Sequence, residues 1–87
     1  MITIVYGDVF IRSARKLPKK LKIKLASSIT LLQNNPFDRS LHTKYLSGKL
    51  AGLLSFRVTR DWRAVFKFID SDQIQLIEVA NRKDIYK

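Results

Sequence analysis

The apolar residues of this chain change their period once, and that change limits the folds open to it. Phe10, Ala14 and Leu17, then Leu21, Leu25, Ile29 and Leu32, recur every three or four positions, which places them along one face of a helix. From Leu54 onward the repeat is two. Leu54, Phe56 and Val58 alternate with Ser55, Arg57 and Thr59, and Trp62, Ala64, Phe66 and Phe68 alternate with Arg63, Val65 and Lys67. Ile74, Leu76 and Glu78 then alternate with Gln75, Ile77 and Val79, in a segment buried on one face and partly on the other. Because the helices come together and the strands come together, the chain reads as a helical layer on an antiparallel sheet rather than as interleaved strand-helix-strand units.

Local punctuation divides these blocks. Ile2–Tyr6 is a short β-branched segment stopped by Gly7-Asp8, and is read as a strand. Proline is accepted in the first turn of a helix and not in its interior, so Pro18 splits the helical block into an αα-hairpin and begins its second helix, which Asn34-Asn35-Pro36 ends. Pro36 to Leu46 is polar, lacks periodicity and reads as a loop. Arg60-Asp61 and Ile69–Gln73 are the turns between strands. The expected fold class is α+β in the order β-α-α-β-β-β, one domain over residues 1–87.

With no cysteine and one histidine, His42, there is no disulfide framework and no thiolate metal site, and a zinc site would need an improbable set of carboxylates; no metal and no cofactor are expected. Apolar runs are far shorter than a membrane span, and the N-terminus lacks a leader pattern, so a cytoplasmic protein with no membrane partner is expected. Seventeen Lys and Arg against seven Asp and Glu leave a formal charge of +10. Such a surplus points to a polyanion: nucleic acid first, an acidic protein second, an anionic membrane surface third. Seven of the cations (Arg12, Arg15, Lys16, Lys19, Lys20, Lys22, Lys24) fall in the helical block, where Asp8 is the only acid. They make either a solvated face or a docking face. Arg57 and Arg63 flank one tight turn, and depending on register they could share a face.

Lys-Leu-Pro-Lys-Lys at Lys16–Lys20, Asn35-Pro36, Leu-Ser-Gly at Leu46–Gly48 and Phe-Arg-Val at Phe56–Val58 occur in order, followed by Asp-Trp-Arg-Ala-Val-Phe at Asp61–Phe66 and Asn-Arg-Lys-Asp-Ile-Tyr-Lys at Asn81–Lys87. In the order and spacing of these strings the whole chain resembles the RelE/ParE superfamily of bacterial type II toxin–antitoxin toxins. The resemblance implies a helical hairpin on a small antiparallel sheet. For activity it implies ribosome-dependent cleavage of messenger RNA in the RelE branch, or inhibition of DNA gyrase in the ParE branch. A third reading is an attenuated toxin fold that only binds an antitoxin. Position by position, the family's strand arginine falls on Arg63, the basic residue of the preceding strand on Arg57, and the C-terminal arginine and tyrosine on Arg82 and Tyr86. Lys44 falls near a position where the YafQ-like toxins use histidine, and Asp61-Trp62 resembles that branch. The chain departs from the pattern at Lys44, Arg57 and Asn81, where relatives carry histidines, so imidazole acid–base chemistry is not expected.

Metal-free RNA cleavage proceeds by attack of a 2′-hydroxyl on the adjacent phosphate. It needs a base, positive charge at the phosphorane and a proton donor for the leaving 5′-oxygen. Here Arg63 and Arg82 are expected to stabilise that phosphate, Arg57 and Lys44 to position the backbone, and Tyr86 to take part in proton transfer once neighbouring cations lower its proton affinity. The donor is Lys44 or the ribosome's own RNA. Arg60, Lys83 and Lys87 join Arg57 as RNA-binding residues. Lys16, Lys20 and Lys24 are assigned to ribosomal RNA or to a cognate acidic antitoxin, so the expected partners are antitoxin, ribosome and message. Trp62 is expected in the core, and His42 as a solvent-facing loop residue.

Overall fold

In the computed structural model, which describes residues 1–85, Pro18 stands immediately before a helix, with φ −58°, where its missing N–H costs nothing. The elements are β1 (Thr3–Tyr6), α1 (Asp8–Arg15), α2 (Lys19–Asn34), β2 (Lys44–Tyr45), β3 (Leu54–Arg57), β4 (Trp62–Asp70), β5 (Gln73–Asn81) and α3 (Arg82–Ile85), with 3-10 turns at Arg39–Leu41 and Gly48–Leu50. The α+β class and the helical hairpin on a sheet are therefore as expected. The sheet has five strands in the order β1-β5-β4-β3-β2. Strands β2 to β5 are antiparallel, while β1 lies parallel to β5, with Thr3 opposite Gln73 and Tyr6 opposite Leu76. Several features depart from the sequence reading. β1 joins in parallel a sheet expected to be antiparallel, the 36–46 loop contains a 3-10 turn and the two-residue β2, and β3 stops at Arg57 instead of running through Val58. The turn read at Ile69–Gln73 narrows to residues 71–72 because β4 runs to Asp70 and β5 starts at Gln73, and the segment after β5 turns into α3.

The two apolar periods meet as the pattern requires. Phe10, Leu17, Leu25 and Leu32 from the helical layer pack on Leu54, Phe56, Ala64, Phe66, Ile74, Leu76 and Val79 of the sheet. Val79 corrects the simple alternation assigned to β5, which put Val79 opposite to Leu76. Val65 faces Glu78 and Phe66 faces Leu76, so Ile77 is an extra residue in the ladder. This β-bulge resets the phase after Ile77, which stays on the outer face, so that Glu78 faces outward opposite Val65 and Val79 enters the main core. On that outer face a second cluster of Leu46, Val65 and Ile85, joined by Leu50, Leu53, Ile77 and Ala80, is roofed by α3 and by the segment leading into β3.

The helical layer is tied to the sheet at two points. Gly7, between β1 and α1, donates its N–H to the Leu76 carbonyl at 3.0 Å, and a Cβ on Gly7 would lie 2.7 Å from that same oxygen. Only glycine permits so close an approach of two backbones. Six residues further on, the Ser13 hydroxyl accepts the Val79 N–H at 3.1 Å and donates to the Phe10 carbonyl at 2.9 Å. These ties hold α1 against β5, and with it the basic helical hairpin in a fixed position relative to the sheet.

Candidate functional site

Strand register decides which cations share a face. Arg57 lies directly opposite Arg63, Ser55 opposite Val65, and Lys44 opposite Ser55. Directly opposed residues of an antiparallel pair point the same way, and Leu54 and Phe56 already point into the helix-side core. Lys44, Arg57 and Arg63 therefore stand together on the sheet face turned away from the helices. Strand β2 spans only the Lys44 and Tyr45 positions, so Arg57 lies beyond its end.

Arg63 does more than present charge. Its Nη1 donates to the carbonyls of Thr59 at 2.7 Å, Arg60 at 2.9 Å and Trp62 at 3.3 Å. Two hydrogens are thus shared among three carbonyls of the β3–β4 turn, which fixes the plane of the guanidinium and closes the turn on it. Arg57 reaches in another direction, with Nη1 3.4 Å from Nε2 of His42. Arginine can only donate, so a hydrogen bond at this contact has Nε2 as its acceptor. His42 has φ +47°, the left-handed conformation that ends the 3-10 turn and brings its ring toward β3. It is exposed as expected, but it has a partner that spacing alone did not indicate.

The C-terminal segment returns to the same turn. The Arg82 N–H donates to the Asp61 carbonyl at 2.8 Å, and its Nε lies 3.9 Å from Asp61 Oδ1. With side chains 52% and 62% exposed, that ion pair orients Arg82 but contributes little energy. Asp61 thus stays in the turn, as read from the sequence, and pairs with Arg82. Asn81 accepts the Lys83 N–H on Oδ1 at 3.2 Å, starting α3 by the local side-chain bond that asparagine favours. Arg60 and Lys83 are exposed, and Tyr86 and Lys87 lie outside the described residues. Trp62 is half-buried against the main core.

The three helical lysines are not brought to one cavity. Lys16 lines a cavity of about 430 Å³ with Arg12 and Trp62, where Glu78 and Asp84 supply opposite charge. Lys24 lines a different groove, shared with His42, Arg57 and Arg60, and Lys20 lies one helical turn before it on α2. Among the described residues no group of three or more His, Asp or Glu could hold a metal ion, and no helix is long and apolar enough to cross a membrane.

No protein-family model and no curated protein matches the sequence, but solved structures match over its full length. YafQ from E. coli superposes with a TM-score of 0.81 at 20% identity, covering 100% of both chains. The chain has the RelE-like toxin fold. A YoeB/ParE toxin from Agrobacterium tumefaciens gives a TM-score of 0.78 at 19% identity, covering 92% of this chain and 98% of that one. The RelB-RelE antitoxin-toxin complex from Methanococcus jannaschii gives 0.74 at 19%, covering 94% of each. Within the RelE-like fold, the arginine-bearing hairpin and the returning C-terminal segment converge on one turn, and Asp61, Arg63 and Arg82 are bonded through it. Sequence reasoning missed two residues of this arrangement. Asn81 could have been found as a turn-forming side chain two residues before Lys83, whereas nothing in the sequence around His42 announces its contact with Arg57.

Proposed function

We propose that this chain is the toxin of a type II toxin–antitoxin system and cleaves messenger RNA on the ribosome by 2′-hydroxyl attack, without a metal. The observation that carries this reading is the register that puts Lys44, Arg57 and Arg63 on one sheet face, with Arg82 tied to the same turn. Guanidiniums match phosphate oxygens in pairs and remain charged at any physiological pH. A guanidinium whose plane is already set by three carbonyls needs no reordering as charge develops on a phosphorane, which is where preorganised donors accelerate most. Arg63 and Arg82 then stabilise the phosphate, and Arg57, Arg60, Lys83 and Lys87 hold the strand. Tyr86 and Lys44 are the candidates for proton transfer, Tyr86 on the strength of the resemblance.

The partner is an acidic antitoxin. The solved relative from M. jannaschii is an antitoxin–toxin complex, and this chain's charge of +10 with exposed Lys16, Lys20 and Lys24 provides the complementary field. Both toxin and antitoxin act in the cytoplasm, where ribosomes are. The second reading, a gyrase inhibitor, is favoured by the YoeB/ParE likeness. Primer extension on translated message with the purified protein separates the two. Discrete cuts that require ribosomes, with gyrase supercoiling unaffected, are expected; inhibition of supercoiling with intact message would replace the ribonuclease reading by the second.

A further inference from the structure

Between α2 and the β3–β4 turn runs a groove of about 420 Å³ whose charged and titratable lining is Lys24, His42, Arg57 and Arg60. Hydroxyls of Ser27, Ser40 and Thr59 line it as well, and no Asp or Glu is among its described lining residues. The two carboxylates nearest in sequence do not line the groove: Asp61, next to Arg60, has Oδ1 3.9 Å from Arg82 Nε, and Asp38 accepts the Ser40 N–H at 2.9 Å. Three cations lining one groove with no acid in its lining repel one another, and an anion among them relieves that repulsion. Ile23, Leu31 and Val58 form an apolar wall beside these polar groups, and Ile23 is exposed.

Arg57 joins this groove to the candidate site. Its Cα faces Arg63 on the outer sheet face, yet its guanidinium passes the end of β2 and reaches His42 in the groove. We propose that the groove holds a backbone phosphate of RNA next to the one acted on at Arg63, with Arg57 as the hinge between the two phosphates. The cations and hydroxyls take the phosphate oxygens, and the apolar wall takes the sugar or base beside them. His42 is a positioning residue that directs the Arg57 guanidinium toward the groove. RNA as the ligand rests on the ribonuclease reading, while the existence of an anion groove rests on the geometry alone.

The test is binding, read separately from cleavage. The full chain is titrated against a fluorescent single-stranded RNA about ten nucleotides long with 2′-O-methyl riboses, so that it cannot be cut, over a range of salt concentrations. Lys24→Ala and Arg60→Ala are each expected to weaken binding about threefold and to flatten the salt dependence of log K by about 0.7, the value for one phosphate contact on a single strand. Lys49→Ala, which removes an exposed cation from the Gly48–Leu50 turn, is expected to change neither. Circular dichroism confirms that each variant is folded. Parent affinity and slope in both groove variants would overturn the proposal, as would no measurable RNA binding by the parent at low salt. Loss of binding to an acidic peptide, with RNA binding kept, would assign the groove to a protein partner instead. If the parent cuts no message on ribosomes but the groove variants still lose RNA affinity, the groove stands and the ribonuclease reading fails. If the parent cuts and the variants keep their affinity, the groove proposal fails together with the strand-holding role of Arg60, and the ribonuclease reading stands.

Discussion

Arg63→Ala is expected to slow message cleavage on ribosomes by about 10²–10³-fold, the usual loss when one preorganised transition-state donor is removed. The same change leaves the carbonyls of Thr59, Arg60 and Trp62 without their shared donor. Water can replace part of that bonding on a half-exposed turn, so the stability cost is about 1 kcal/mol, at the low end for a lost hydrogen-bond partner. Arg63→Lys separates the two effects. An ammonium keeps the charge and can donate to the turn carbonyls, but it lacks the planar fork that holds a phosphate through two oxygens. Lysine should therefore recover most of the urea midpoint and little of the rate. An alanine variant that cuts at the parent rate would remove Arg63 from the chemistry and leave it as a turn residue only.

Phe66→Ala is expected to cost about 3–5 kcal/mol. Phe66 is fully buried at the centre of the sheet, with ring centroids 5.9 Å from Phe56 and 5.8 Å from Phe68. Its removal deletes apolar burial and opens a cavity that Leu54, Leu76 and the helix layer cannot fill without leaving their own contacts. A domain of this size has about 4–13 kcal/mol of total stability, so this loss is a large fraction of the whole. The denaturation midpoint reports it directly. A shift below about 1 kcal/mol would mean that the core repacks around the vacancy, contrary to the packing described here.

Long periodic segments were legible because each of their residues reports the same buried face. Phe10 to Leu32 and Leu54 to Phe68 behaved so, and Pro18 and Arg60-Asp61 marked their breaks for reasons internal to those residues. The unread parts are those in which no period develops. Strand β2 has two residues and α3 has four, too few for any repeat, and both exist because Leu46 and Ile85 cover Val65 from the outer face. Ile77 broke the alternation of β5 by a bulge, which a pattern of two counts through without notice. The parallel placement of β1 depends on a partner some seventy residues away, facing Gln73 to Leu76, and local sequence does not contain it.

At the site, residue types were legible and their bonds were not. Arg57 and Arg63 were identified as a possible same-face pair, which the register settled. That Arg63 is also the keystone of its own turn follows from three carbonyls converging on one nitrogen, a property of the folded turn alone. Lys16 and Lys24 look equivalent along the sequence, yet the bend at Pro18 puts them in separate cavities, one with carboxylates and one without. The second of these adjoins Arg57, and so the helical charge is divided by the fold into parts with different surroundings.

The central claim is that the sheet-face cations act on a phosphate attacked by its neighbouring 2′-hydroxyl. A message translated to a defined codon, carrying one 2′-deoxynucleotide at the position that the protein otherwise cuts, tests it most directly. The expected result is a cut in the all-ribose message that leaves a 2′,3′-cyclic phosphate and vanishes at the deoxy position. Cleavage that continues at the deoxy position, or an all-ribose message left whole on ribosomes, would contradict it.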